Sequence, residues 1–321
     1  MVLPLLANAQ NNYLDFDGIN DVVETPAATA TLLANATALT LSCKVYPTRV
    51  TSGFPDFNGI CGYRNETNFD FYLIQLSSTD LEARFRNSAG VDYTITYTGL
   101  TLNQWSHFIL VYNGSTLKLY KNGVEVSSIA ASGSVPAAPS GYLSIGRIIF
   151  QAYNWFHKGY IDEVSIWNKA LSQTDIDAMT ANSGEVVNPA GQSNLKAYYK
   201  FNQGIPYGNN LGLTTLNDEM ALNNGTLANF ALTGTTSNWG GTQLGVVETG
   251  INAIRVFPNP TRDFISVSGL VEQTYCRIYD AMGKLVKSET IGPGRNISIA
   301  ELPSGIYLMS TDAWQKKFIV R

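Results

Sequence analysis

Histidine occurs twice in these 321 residues, cysteine three times, and charged side chains make up only 14%. Each shortage excludes something. Two isolated histidines, His107 and His157, argue against a His-rich transition-metal site. No Lys/Arg cluster of the kind that tracks phosphates occurs, so no nucleic-acid partner is expected. No apolar run approaches the length of a membrane span, so the mature chain is read as soluble. Cys43 and Cys61 lie eighteen residues apart on what read as neighbouring strands. They fit either two buried free thiols or a bridge of the kind an exported protein can keep. Cys276 alternates with Ile278 and reads as a small core residue.

What is abundant is Thr, Ser, Asn, Gly and Tyr. That suits an extracellular β protein with many turns. The length suggests about two domains. Charge divides unevenly: residues 252–321 carry a net +3 and the residues before them −7. At the start, Val2 to Leu6 is apolar and Ala7-Asn8-Ala9 has the small-x-small form that precedes signal-peptide cleavage. The run is short and no Lys or Arg precedes it, so residues 1–9 read as a signal-peptide remnant, with Gln10 the first mature residue.

Residues 11–182 read as a first domain. It opens with Tyr13-Leu14-Asp15-Phe16-Asp17-Gly18-Ile19-Asn20-Asp21 and continues through the strand Leu39 to Pro47. Trp105 begins the run to Tyr112, in which Phe108, Leu110 and Tyr112 share one face and Ile109 and Val111 the other. A strand apolar on both faces belongs in the middle of a sheet. Asn113-Gly114 and Asn122-Gly123 tolerate positive φ and predict hairpin turns. The domain closes with Gly159-Tyr160-Ile161-Asp162-Glu163-Val164-Ser165-Ile166-Trp167. One helix is predicted over Gln173–Thr180, with Ser172 as N-cap, Asp175 three residues on, and Leu171 and Ile176 as a hydrophobic staple.

The order of Trp105, a hairpin ending in Asn122-Gly123, and Gly-x-x-Asp-Glu-Val resembles the laminin-G-like, concanavalin A-like jelly roll. Lys44 departs from it, because the family usually has Trp there. Residues 183–239 carry Leu195 to Asn202, Asp218, Asn224-Gly225-Thr226-Leu227 and Trp239, and read as an extension adding strands to the same sandwich. A Gly/Thr/Ser-rich linker is expected at 240–251.

Residues 252–321 alternate apolar and polar in short runs separated by turns, as in a small immunoglobulin-like β-sandwich. Ala281-Met282-Gly283 suits a three-residue hairpin. The landmarks are Pro258-Asn259-Pro260, Asp263, Asp280, Gly283, Lys284, Gly305, Tyr307, Lys316 and Lys317. In that order they resemble the type A C-terminal sorting domain of the type 9 secretion system of Bacteroidetes. The resemblance implies export through the periplasm to the outer surface or beyond. It implies as partners the outer-membrane translocon and its shuttle β-barrel, and a sortase-like cysteine protease cutting near Gly240–Gly250. Contacts are expected on Pro258 to Pro260 and on the terminal strand, as an open edge. The fold class is therefore all-β throughout.

The jelly roll also carries glucanases and lyases. The glucanases use two carboxylates on alternate residues of one strand. No Glu-x-Asp-x-Glu occurs here, and adjacent Asp162 and Glu163 should point to opposite faces. A non-catalytic adhesion or binding protein is expected, with a glycan or protein ligand; a polysaccharide hydrolase or lyase is the alternative. Aromatic and amide side chains hold sugars, which nominates Tyr153, Asn154, Trp155 and His157, with Tyr63, Arg64 and Asn65 as a second cluster. The resemblance also implies a structural calcium at Asp162, with Asp17, Asn20 and Asp21 from the first strand and its loop.

Overall fold

The computed structural model describes residues 11–64, 66–241, 254–270, 273–311 and 314–321. The signal-peptide remnant, Asn65, and residues 242–253 of the expected linker and tail start lie outside the described residues. The chain divides into two compact units, 1–243 and 244–321.

The larger unit is two antiparallel eight-stranded sheets. The first runs in the order Val124–Ala130, Thr116–Lys121, Ser106–Tyr112, Leu39–Pro47, Lys158–Trp167, Asn12–Asp17 and Trp239–Gly241, with Leu195–Tyr199 also paired to Lys158–Trp167. The second runs Thr215–Leu216, Gly225–Ala228, Val22–Glu24, Ser144–Ile145, Asn58–Arg64, Asp70–Gln75, Asp80–Arg86 and Asp92–Thr98. The 195–241 segment thus contributes strands to both sheets. Gly240 and Gly241, placed by sequence in the linker, instead pair with Tyr13 and Asn12.

Period-two alternation fills the space between the sheets. Leu41, Cys43, Phe108 and Leu110 from one sheet meet Phe71, Leu73, Ala83 and Phe85 from the other in one buried cluster. Cys43 and Cys61 sit in this core as free thiols. Burial makes loss of a proton costly and pushes the Cys43 thiol up.

In the Ser106–Tyr112 strand the run from Phe108 is apolar on both faces for a specific cause. Its Phe108, Leu110 and Tyr112 face the inter-sheet core, while Ile109 and Val111 form a second cluster with Trp167, Ile176 and Met179. Helix Gln173–Ala181 lies over this outer face. Ser172 Oγ accepts from the Asp175 amide and Asp175 Oδ2 from the Ser172 amide, a reciprocal capping box. The helix covers only part of the sheet, and the uncovered remainder holds the site described below.

The smaller unit has a three-stranded sheet, Arg255–Phe257, Phe264–Ser268 and Asn296–Ser298, and a four-stranded one, Leu285–Ile291, Thr274–Asp280, Gly305–Ser310 and Gln315–Val320. Ile265, Ile278, Met309 and Phe318 anchor its own core. Gly283 takes φ +80° in the predicted hairpin, and Asp280 Oδ1 accepts from the amides of Met282 and Lys284. Tyr307 stacks on Phe318 and donates its hydroxyl to the Pro303 carbonyl. The Asp263 carbonyl accepts from the Ile299 amide. Gly305 pairs with Val320.

The expected open edge at the terminal strand is closed over its last residues. Asn259, between Pro258 and Pro260, accepts the Ile319 amide on Oδ1 at 2.9 Å. The Thr261 amide donates to the Ile319 carbonyl and the Arg321 amide to the Thr261 carbonyl. One edge therefore pairs with Gly305–Ser310, and the other is capped by 259–261 over residues 317–321.

Candidate functional site

Strand register puts alternate residues of three neighbouring strands on the outer face of the first sheet. Tyr160 lies opposite Tyr46 on one side and Asp15 on the other, and Lys44 lies opposite both Asp162 and His107. The tyrosines stack into a ladder. Tyr13 and Tyr160 have ring centroids 4.6 Å apart, Tyr160 and Tyr46 4.9 Å. Trp105 closes edge-on at 5.4 Å from Tyr13 and 5.6 Å from Tyr46. All four rings are half-buried. Tyr160 is sandwiched between the other two tyrosines, so the rings left to meet a ligand are those of Tyr13 and Trp105.

Beside this ladder a cleft of about 540 Å³ opens between the sheet and the end of the helix. That lies within the range of roughly 300–1,000 Å³ usual for small-ligand sites. Its floor is an ion pair, Lys44 Nζ to Asp162 Oδ2 at 3.1 Å, with the side chains 14% and 2% exposed. Lys44 Nζ also stands 5.3 Å from the Trp105 ring centre, a cation–π contact. Asp162 Oδ1 makes no hydrogen bond within the fold. Burial pushes the Asp162 carboxyl up to about 6, against the pull of Lys44. His107 donates or accepts at Nε2 with Ser42 Oγ at 2.6 Å, and burial lowers its pKa to about 4, so it is neutral at pH 7. Asn122, in the Asn-Gly turn at φ +51°, accepts the His107 amide and fixes that end. Gly184, at φ +95°, forms the opposite wall. A Cβ there would stand 2.6 Å from Lys44 Cδ, so the close approach requires glycine.

The expected opposition of Asp162 and Glu163 is altered by a bulge. Register shifts between Asp162 and Ser165, and Glu163 takes φ +53°. Glu163 is fully buried and accepts the Tyr198 hydroxyl, and burial holds its carboxyl well above the usual range. The cleft is lined by Asp162 and not by Glu163.

The loop residues nominated from sequence fare differently. Tyr153 and Asn154 are exposed on the hairpin formed by Arg147–Phe150 and Tyr153–Phe156. Trp155 is only 5% exposed; it packs on Phe57 and Phe150 and donates its indole N–H to the Pro55 carbonyl at 2.9 Å. Arg64, 8% exposed in its side chain, has its guanidinium 4.4 Å from the Phe150 ring centre and 5.4 Å from that of Trp155. Tyr63 and His157 are fully buried, and His157 stands edge-on to Phe16 at 5.8 Å. Strand alternation turns Tyr63 into the core and His157 is buried between two strands, so neither reaches a ligand surface. Asn65 lies outside the described residues.

The expected calcium ligands do not converge. Asp17 pairs with Lys158, four residues before Asp162, which along a strand is about 13 Å. Asp162 already has Lys44 as counter-ion. Asp17 Oδ1 accepts the Ile19 amide, Asp21 Oδ2 the Asp17 amide and Asp21 Oδ1 the Ser237 hydroxyl, while Asn20 is exposed. Those bonds make a local turn, and no group of three or more His, Cys, Asp or Glu able to hold an ion occurs among the described residues.

Sequence reasoning missed the Tyr13, Tyr46, Trp105 and Tyr160 platform. Its only signal was the departure at Lys44, next to an Asp two residues after a Tyr.

The architecture defines a two-sheet jelly roll followed by a small β-sandwich. The chain belongs to the concanavalin A-like lectin/glucanases superfamily, whose family model matches residues 17–177. A secretion system C-terminal sorting domain matches residues 255–321. The protein is thus sorted by type 9 secretion to the cell surface or the extracellular space. No helix among the described residues is long and apolar enough to cross a membrane. No curated protein matches the chain. Among solved structures, it is similar to a candidate carbohydrate-binding protein from Bacteroides ovatus, at 21% identity and TM-score 0.48 over 68% of this chain and 58% of that one. It is also similar to a heptameric SAP-like pentraxin from Limulus polyphemus, at 15%, 0.41, 54% and 83%. A third is the CBM40 of the Ruminococcus gnavus IT-sialidase bound to α2,3 sialyllactose, at 15%, 0.42, 52% and 97%.

Proposed function

We propose that the jelly roll is a non-catalytic binding module that takes a saccharide in the cleft beside the tyrosine ladder, after delivery to the outer surface by the sorting domain. The observation that carries this reading is a cleft floored by Lys44 and Asp162 and lined by the half-buried rings of Tyr13 and Trp105, which pack with Tyr160 and Tyr46 behind them. The C–H face of a sugar ring packs on aromatic rings while its hydroxyls seek polar partners. Binding without cleavage follows from the carboxylates. Glycoside hydrolysis uses two flanking the scissile bond, and Asp162 is the single carboxylate among the described lining residues. His107 lines the cleft but is only 6% exposed, is held by Ser42 and has its pKa lowered by burial to about 4, which makes it a poor base for a lyase.

For the smaller unit the translocon, its shuttle β-barrel and a sortase-like protease are the partners we propose, with Lys316 and Lys317 offering charge to an acidic surface. A glycan array followed by calorimetry tests the module. Trp105→Ala and Tyr13→Ala should each weaken binding at least tenfold. Release of reducing ends or unsaturated sugars by the wild-type protein would overturn the non-catalytic reading.

A further inference from the structure

The charges of the cleft go further than its shape. The lining contains three groups that could carry charge near neutrality, Lys44, Asp162 and His107. Lys44 and Asp162 are 3.1 Å apart and cancel each other. His107 is shielded in the sheet and bonded to Ser42. The polar rim is made of neutral hydroxyls and amides, with Ser106, Asn122, Thr180 and Ser183 among them. The surroundings lean negative. Glu163 lies behind the floor on Tyr198, and Glu185 near it is paired with Lys200 at 3.0 Å. Among the described lining residues no cation remains without a counter-ion, while the buried acceptor Asp162 Oδ1 has no donor.

Resting on the saccharide-binding reading above, we infer that this cleft selects neutral sugar residues and rejects those bearing a carboxylate, such as uronates and sialate. A neutral sugar brings hydroxyl donors toward the Asp162 side and hydroxyl acceptors for Lys44, and its apolar face lies on Tyr13 and Trp105. A carboxylated sugar would bring a second anion beside Asp162 with no free cation to receive it. Desolvating an unpaired charge is far costlier than desolvating a hydroxyl.

Calorimetry on the full chain separates the cases. The neutral probes are cello-, xylo-, manno- and galacto-oligosaccharides; the acidic ones are oligogalacturonate, oligomannuronate and sialyllactose. The expected result is that at least one neutral series binds and every acidic one binds at least tenfold more weakly. Asp162→Asn frees Lys44 and should raise acidic relative to neutral binding at least tenfold. Ser183→Lys, on the exposed rim, places a free cation without touching the floor and should shift the ratio the same way, which keeps the test open if the first variant fails to fold. Acidic probes binding the wild type as tightly as neutral ones, or both variants leaving the ratio unchanged, would overturn the selectivity while leaving saccharide binding standing. Absence of binding to any probe would overturn the binding reading beneath it.

Discussion

Replacing Lys44 with Met isolates the ion pair at the cleft floor. Met keeps an unbranched stem against Trp105, so the change removes charge more than packing. Asp162, 2% exposed in its side chain, is left as a buried carboxylate without a counter-ion. Breaking a buried pair in this way costs about 3–5 kcal/mol. The pair is not a net asset, since the Asp162 carboxyl is raised to about 6 even with Lys44 in contact. Burial outweighs attraction, so removing both charges in Lys44→Met/Asp162→Asn should return to within ~1 kcal/mol of wild type. The pH dependence has a definite sign. A group whose folded pKa is raised contributes stability that is full below its ordinary value of 3.8 and lost as pH rises through the folded value, here about 6. Without Lys44 the folded value climbs, and the loss extends to higher pH. Urea unfolding at pH 5 and pH 8 should therefore show a larger deficit for the single variant at pH 8. A single-variant cost under ~1 kcal/mol at pH 8, or an equal deficit with Asn at position 162, would refute the reasoning.

Three further outcomes follow from burial. Trp155→Ala should destabilise by about 3–5 kcal/mol, as expected for a core aromatic and not for a surface platform; a melting temperature within a degree or two of wild type would contradict its packing on Phe57 and Phe150. Burial lowers His157 to about 3, so the unfolded chain takes up a proton as pH falls through 6.5 and the folded chain does not. His157→Leu should remove a stability loss of about 2 kcal/mol between pH 7 and pH 5, read as a flatter pH dependence of unfolding. Because Asp162 answers to Lys44, melting in excess EDTA and in millimolar Ca²⁺ should coincide; a rise in Ca²⁺ that Asp162→Asn abolishes would restore the calcium expectation.

Much of the fold was legible because its signals are local. Two-residue alternation marked the strands, Asn122-Gly123 and Gly283 marked turns, and Ser172 with Asp175 marked the helix start by a mechanism that operates within four residues. Even the Phe108–Tyr112 run, apolar on both faces, was readable as a strand covered on both sides. What covers its second face, the Gln173–Ala181 helix, required tertiary structure.

The site was not legible because it is a product of register. Tyr13, Tyr46 and Tyr160 are separated by tens of residues, and no spacing rule says that their strands are neighbours with those three positions level. A slip of one residue in any strand would turn its tyrosine into the core. The nominated Tyr63, Trp155 and His157 failed for the mirror-image reason: aromatic and imidazole side chains near a loop are equally at home pointing inward, and here Tyr63 joins the main core, Trp155 a smaller apolar cluster, and His157 is fully buried beside Phe16. Lys44 is the exception that sequence could have used. An ammonium on a strand whose neighbours Cys43 and Val45 are fully buried must find a counter-ion on the same face of an adjacent strand. Asp162, two residues after Tyr160 and so on the same face of its strand, is the carboxylate that satisfies this demand. Pairing those two charges first would have aligned their two strands, and with them Tyr46 opposite Tyr160.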